Sequence, residues 1–236
     1  MNTNSNSYTI IYASVMVVIV AFLLAFVSSA LKPTQDRNIE MDKKKQILAA
    51  LNVRDKSMNV EEMYDKYVMA DMIVRADGSV VNEGKDKDRA GFKVENKNID
   101  DNTLPVYICK VNDAVKYVIP MTGRGLWGGL WGYMAVNDDF ATVYGAYFSH
   151  ESETAGLGAL IAEEKFQDLF KGKSIFSDAS AEEVALTVVK HGQVEPDKQN
   201  CQVDGLTGAT LTSVGVADMV NKGLGKYTGF FKANKK

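Results

Sequence analysis

Residues 204–213 read DGLTGATLTS and place four hydroxyl side chains, Thr207, Thr210, Thr212 and Ser213, around Gly205 and Gly208, with no lysine or arginine among them. The apolar spacing that follows predicts a helix over 210–225, which puts these hydroxyls at a helix start. Such a start offers N–H groups without intrahelical acceptors and a partial positive charge, and both favour a phosphate. The glycines let the backbone turn sharply and let a phosphate come close. A phosphate already esterified to a threonine there keeps about one negative charge and needs no lysine. This would account for a missing cation that a freely exchanging nucleotide would call for. The alternative is that a hydroxyl merely caps the helix.

Two further stretches have suggestive chemistry. PMTGRGLWGGLWGY (120–133) holds both tryptophans in a glycine-rich loop between strands, offering close backbone approach and flat apolar surfaces; its alternative is a turn closing the core. The GxGxxG spelled by Gly123, Gly125 and Gly128 is not a dinucleotide fingerprint, because the chain continues in glycines instead of opening a helix. HESETAGLGAL (150–160) leads polar residues into a predicted helix, so Thr154 or the N–H groups of residues 155–158 serve either as caps or as donors to a polar ligand. His150 and His191 are the only histidines, and neither sits in a Ser/His/Asp or metal-ligand spacing. Cys109 and Cys201 fit neither a zinc site nor a disulfide-rich scaffold, and their spacing leaves pairing open.

These stretches must be held by a scaffold that the patterning outlines. MIVRADGSVV, VYICKVNDAVKYVIPM and YMAVNDDFATVYGAYFSH each read as a hairpin, turning at Asp77-Gly78, Asn112-Asp113 and residues 137–139. Helices are predicted over 158–173 and, last in the chain, 210–225, with a strand over 185–190. Clustered hairpins and a few helices argue for an α+β fold with an antiparallel sheet. Upstream, 41–53 and 59–69 read as two short helices connecting this domain to an N-terminal span. That span, Tyr8 to Leu31, has no charged side chain, and as a helix it covers roughly 36 Å, enough to cross a bilayer. It lacks a basic n-region and exceeds a signal core, so it reads as a retained anchor, with Tyr8 and Tyr12 at an interface. The expected divisions are a tail (1–7), the transmembrane helix (8–31), a helical connector (32–70) and one soluble domain (71–236). A net charge of −3 gives no basic footprint for nucleic acid. Basic residues follow the span and none precedes it, which by the positive-inside rule alone places the domain in the cytoplasm.

DGLTGAT resembles the flavinylation signature of the covalent-FMN domains in the sodium-translocating NADH:quinone reductase and the related Rnf electron-transport complexes. HESETAGLG is similar to the family's His…Glu-Thr-x-Gly-Leu-Gly segment. GRGLWGGLWGY has Gly-Leu-Trp-Gly where Rnf proteins usually carry Gly-Tyr-Gly-Gly, so the likeness is closer to the C subunit of the quinone reductase. With the anchor it covers nearly the whole chain.

The resemblance implies that Thr210 carries one FMN through a phosphoester, added by a flavin transferase that uses FAD. It implies that Thr207 and the backbone near Gly208, Ala209 and Leu211 hold the phosphate. Glu153, Thr154 and Leu157, and more weakly Leu126 and Trp127, would contact the ring or ribityl chain. It further implies an electron relay working with other subunits of a membrane complex, inactive by itself, with its flavin domain on the extracytoplasmic side against the charge count. The residues show no NADH site and no quinone pocket. The alternatives are the corresponding Rnf protein and an anchored binding module without cofactor.

Overall fold

Alternating side chains along six strands build the central layer of the protein, seen in a computed structural model that describes residues 5–54, 59–85, 88–178 and 183–235. The strands are β1 (Val68–Val74), β2 (Val80–Asn82), β3 (Leu104–Val111), β4 (Ala114–Arg124), β5 (Gly129–Asn137) and β6 (Val143–His150). They form one antiparallel sheet in the order β2-β1-β3-β4-β5-β6. All three expected hairpins are present. At the β3–β4 turn Asn112 and Asp113 both take positive φ, 49° and 63°, the conformation that a two-residue turn needs to match the twist of its strands.

Because successive side chains point to opposite faces, each strand feeds two cores. On one face Leu104, Ile119, Met121, Met134 and Phe148 pack with α5 (Thr210–Gly225), through Val216, Met219, Val220 and Leu224, and with Phe230 and Phe231 of α6 (Thr228–Asn234). On the other face Tyr107, Cys109, Val118, Tyr133 and Ala135 meet the end of α1 (Asn6–Ala50), Met63 and Tyr64 of α2 (Val60–Tyr67) and Phe92 of α3 (Ala90–Lys93). Both cysteines are buried free thiols. This is the expected α+β fold: one long N-terminal helix, then an antiparallel sheet with flanking helices.

The chain falls into two compact units, Met1–Lys43 and Lys44–Lys236. In the first, α1 is long and apolar enough to cross a membrane, and none of its most apolar stretch is buried. The helix expected over 41–53 is not separate: α1 runs on through Pro33 to Ala50 as one helix of 45 residues. Its last turns are part of the second unit, where Ile47, Leu48, Ala50 and Leu51 are buried. Lys44 is buried there too, 3.7 Å from Glu61 Oε1 and over the rings of Tyr64 and Phe92.

Three further expectations are corrected. The helix over 158–173 is broken into a 3-10 turn (Gly158–Ala162), the four-residue α4 (Glu164–Gln167) and another 3-10 turn (Asp168–Phe170), because Glu163 is extended, with φ −82° and ψ 144°. The strand over 185–190 appears as β7 (Thr187–Val189), which pairs in parallel with an unforeseen β8 (Gln202–Asp204) in a separate two-stranded sheet. The helix over 210–225 has the expected limits but is not the last, since α6 follows it.

Candidate functional site

DGLTGATLTS folds as a strand end, a loop and a helix start. β8 ends at Asp204, the loop runs through residues 205–209, and α5 begins at Thr210. Gly208 has φ +74°, which a side chain at this position would oppose. The N-cap residue of α5 is Ala209, with no side-chain cap, and alanine is a poor one. None of the four hydroxyls caps the helix. Ser213 Oγ instead accepts the Leu206 N–H at 3.0 Å, and Thr212 Oγ1 donates to Glu153 Oε2 at 2.5 Å. Thr207 and Thr210 are left exposed. The first-turn N–H groups thus remain without a side-chain acceptor, beside an exposed hydroxyl.

Glu153 joins the three stretches that the sequence singled out. It lies in the HESETAGLG segment after β6, it is 7% exposed, and its Oε1 accepts the Trp127 N–H at 2.9 Å from the β4–β5 loop. Its other oxygen holds Thr212 of α5. Burial works against its charge, but the hydrogen bonds from Thr212 and from the Trp127 and Gly128 N–H groups outweigh that and hold its pKa below the ordinary carboxylate range. The Thr154 carbonyl accepts from the Leu157 and Ala159 N–H groups, each at 3.1 Å, while the Thr154 side chain is exposed. Leu157 lies over the threonine loop: a Cβ placed on Gly208 would be 3.2 Å from its Cδ2.

Leu126, Trp127, Leu157, Leu211 and Val214 are all exposed large apolar residues, Trp127 at 66%. Isolated exposed apolar side chains are ordinary, but these stand on the segments that Glu153 draws together. An uncapped helix N-terminus beside such side chains suits a group with one phosphate and a flat apolar ring system.

Known proteins share this build. The chain is 35% identical, over 98% of its length and 96% of the relative's, to the C subunit of the Na(+)-translocating NADH-quinone reductase of Haemophilus ducreyi. It belongs to that C-subunit family. The Pseudomonas aeruginosa C subunit is 30% identical over 95% of this chain and 94% of its own. The crystal structure of the Parabacteroides distasonis C subunit superposes with a TM-score of 0.76 at 38% identity, covering 85% of this chain and 96% of that one. The family model of an FMN-binding domain matches residues 125–225. That match takes in every residue singled out above for cofactor binding, from Leu126 and Trp127 through Glu153, Thr154 and Leu157 to Thr207, Gly208, Ala209, Thr210 and Leu211. This member of the C-subunit family is therefore an FMN-binding subunit of an NADH-quinone reductase, and its N-terminal apolar helix fits membrane anchoring.

Within the FMN-binding domain, sequence reasoning missed the inward role of Glu153, whose two oxygens are occupied by protein donors. It also missed His191, whose Nδ1 stands 2.8 Å from Asp204 Oδ2. No local spacing announces that pair, because it forms only through the parallel pairing of β7 with β8.

Proposed function

We propose that this protein carries one FMN bound through a phosphoester to Thr210 and relays electrons within a Na+-translocating NADH:quinone oxidoreductase. The observation that carries the reading is the uncapped start of α5, where Thr210 is exposed while Thr212 and Ser213 are turned inward. A helix held only by its own caps would use one of those hydroxyls. Thr207 and the N–H groups from Gly208 to Leu211 would hold the phosphate, and Leu126, Trp127 and Leu157 would face the ring. Glu153 would act behind them by fixing the Trp127 loop against α5. When bound, FMN supplies the one- and two-electron chemistry that no side chain offers.

Attachment needs a flavin transferase with FAD as donor. The Thr210 hydroxyl oxygen forms a bond to the flavin-side phosphorus, the pyrophosphate P–O bond breaks, AMP leaves with the bridging oxygen, and the hydroxyl proton passes to a base or to water. The tether then prevents loss of the cofactor from a domain that, in this reading, faces the extracytoplasmic side. The division into tail, span, connector and FMN domain follows the same proposal. Other subunits of the complex would provide the electron donor and acceptor, so the chain would not turn over alone.

The test is the mass of the Thr210 peptide from protein co-expressed with an active transferase and denatured before digestion. One FMN localised to Thr210 is expected. Thr210→Ala should abolish attachment while changing stability by no more than about 0.5 kcal/mol, since the side chain is exposed. Covalent flavin retained in that variant would sink the assignment.

A further inference from the structure

A histidine that no motif claims lies at the entrance of the threonine loop. β7 ends at Val189, opposite Asp204 at the end of β8, so the turn leaving β7 lies against the residue that opens DGLTGAT. His191 Nδ1 is 2.8 Å from Asp204 Oδ2 and 3.1 Å from the Gly205 carbonyl oxygen, and the Gly192 N–H donates to Asp204 Oδ1 at 2.7 Å. A carboxylate and a carbonyl only accept, so Nδ1 carries a hydrogen shared between them. The exit of the loop is tied separately, by the Leu206 N–H to Ser213 Oγ, and the turn between closes through the Ala209 N–H to the Leu206 carbonyl at 3.2 Å. Thr207 and Gly208 at the tip are exposed, and Thr210 follows two residues later.

We propose that His191 is a positioning residue for flavin attachment: by clamping Asp204 and the Gly205 carbonyl, it sets where the loop presents the Thr210 hydroxyl to the FAD donor. The proposal rests on the reading of Thr210 as the attachment point. The His191 side chain is 54% exposed and that of Asp204 36%, and an exposed pair of this kind contributes little to stability. Its effect belongs in the rate, because group transfer falls steeply when the acceptor oxygen is misplaced by even about 1 Å.

The test uses the full chain in detergent, expressed without transferase, then treated with a purified FAD-dependent flavin transferase and saturating FAD. Covalent flavin is followed by intact mass and by fluorescence of the denatured protein. Three variants are compared: H191N, whose amide nitrogen can take the place of Nδ1, H191Q, whose amide reaches the place of Nε2, and H191L. The expected result is a maximum attachment rate lowered about 10- to 100-fold in H191Q and H191L, with H191N within about threefold of wild type. Unfolding midpoints should match, and the end product should still be one FMN on Thr210. Wild-type rates in H191Q and H191L would overturn the proposal, as would losses in all three variants that follow their unfolding midpoints. A wild-type chain that takes up no FMN beside an active control substrate would bring down the attachment reading first, and this proposal with it.

Discussion

The buried carboxylate of Glu153 satisfies donors from two other segments. Its removal by Glu153→Ala leaves the Thr212 hydroxyl and the Trp127 N–H without their acceptor, which should destabilise the domain by about 2–4 kcal/mol in denaturant unfolding. Glu153→Gln keeps the shape and loses the charge, and its comparison with wild type has a defined pH dependence. The folded-state pKa is depressed, so the contribution of the carboxylate is fully present above the ordinary carboxylate value of about 4.3 and is lost as pH falls through the lower folded value. The stability gap between wild type and Glu153→Gln should therefore be constant near neutrality and shrink below about pH 4. A gap that widens in acid would refute the assigned sign. The motifs that supply the ten proposed site residues were legible because each is a short run of unusual composition. What Glu153 does was not, because its partners are 26 and 59 residues away.

Among the elements, α5 decides whether the helix start is presented at all. It packs against β4 so closely that a Cβ on Gly215 would strike the Arg124 carbonyl oxygen. Gly215→Ala must move the helix or the strand, and overpacking of this kind should lower stability by about 1–3 kcal/mol, read as a shift in urea midpoint without a change in slope. An unchanged midpoint would mean that the contact is looser than it stands in the structure. α5 itself was readable, since its apolar residues recur at helical intervals after a glycine-rich turn. The 158–173 segment was misread for a matching reason: its buried apolar side chains Ile161, Phe166 and Phe170 are spaced five and then four apart, and the extended Glu163 falls between the first two. The Gln167 amide completes the break by donating to the Ala162 and Phe148 carbonyls. β8 was invisible because its three residues, Gln202–Asp204, hold one apolar side chain between two polar ones, whereas β7 lies in the apolar, β-branched run ALTVVK.

At the scale of the whole chain, the two compact units divide within a continuous helix. Ile47, Leu48 and Leu51 are no more than 1% exposed against the sheet, and truncating one such side chain to alanine typically costs about 2–5 kcal/mol. A chain starting at Lys44 keeps the whole second unit and should therefore unfold with a free energy within about 1 kcal/mol of the same domain in the longer protein. A chain starting at Arg54 should fail to give a cooperative transition, since what it loses is comparable with the whole stability of an ordinary domain. Equal stability of the two truncations, measured by calorimetry, would show that the last turns of α1 are dispensable.

The sequence by itself determined whatever is written in local period and composition: the uncharged 24-residue span, three hairpins with their turns, the limits of α5 and the threonine signature at its start. Each of these depends on neighbours within a few residues, where backbone geometry and side-chain alternation act directly. Only the tertiary structure decided that Thr212 and Ser213 turn inward while Thr210 stays exposed, that one carboxylate ties its own motif to two others, and that His191 meets Asp204. Those outcomes depend on which strands pair and which faces pack. A hydroxyl at a helix start is physically able to cap, to hydrogen-bond across the site or to remain free, and the partners that remote segments bring to it select among the three.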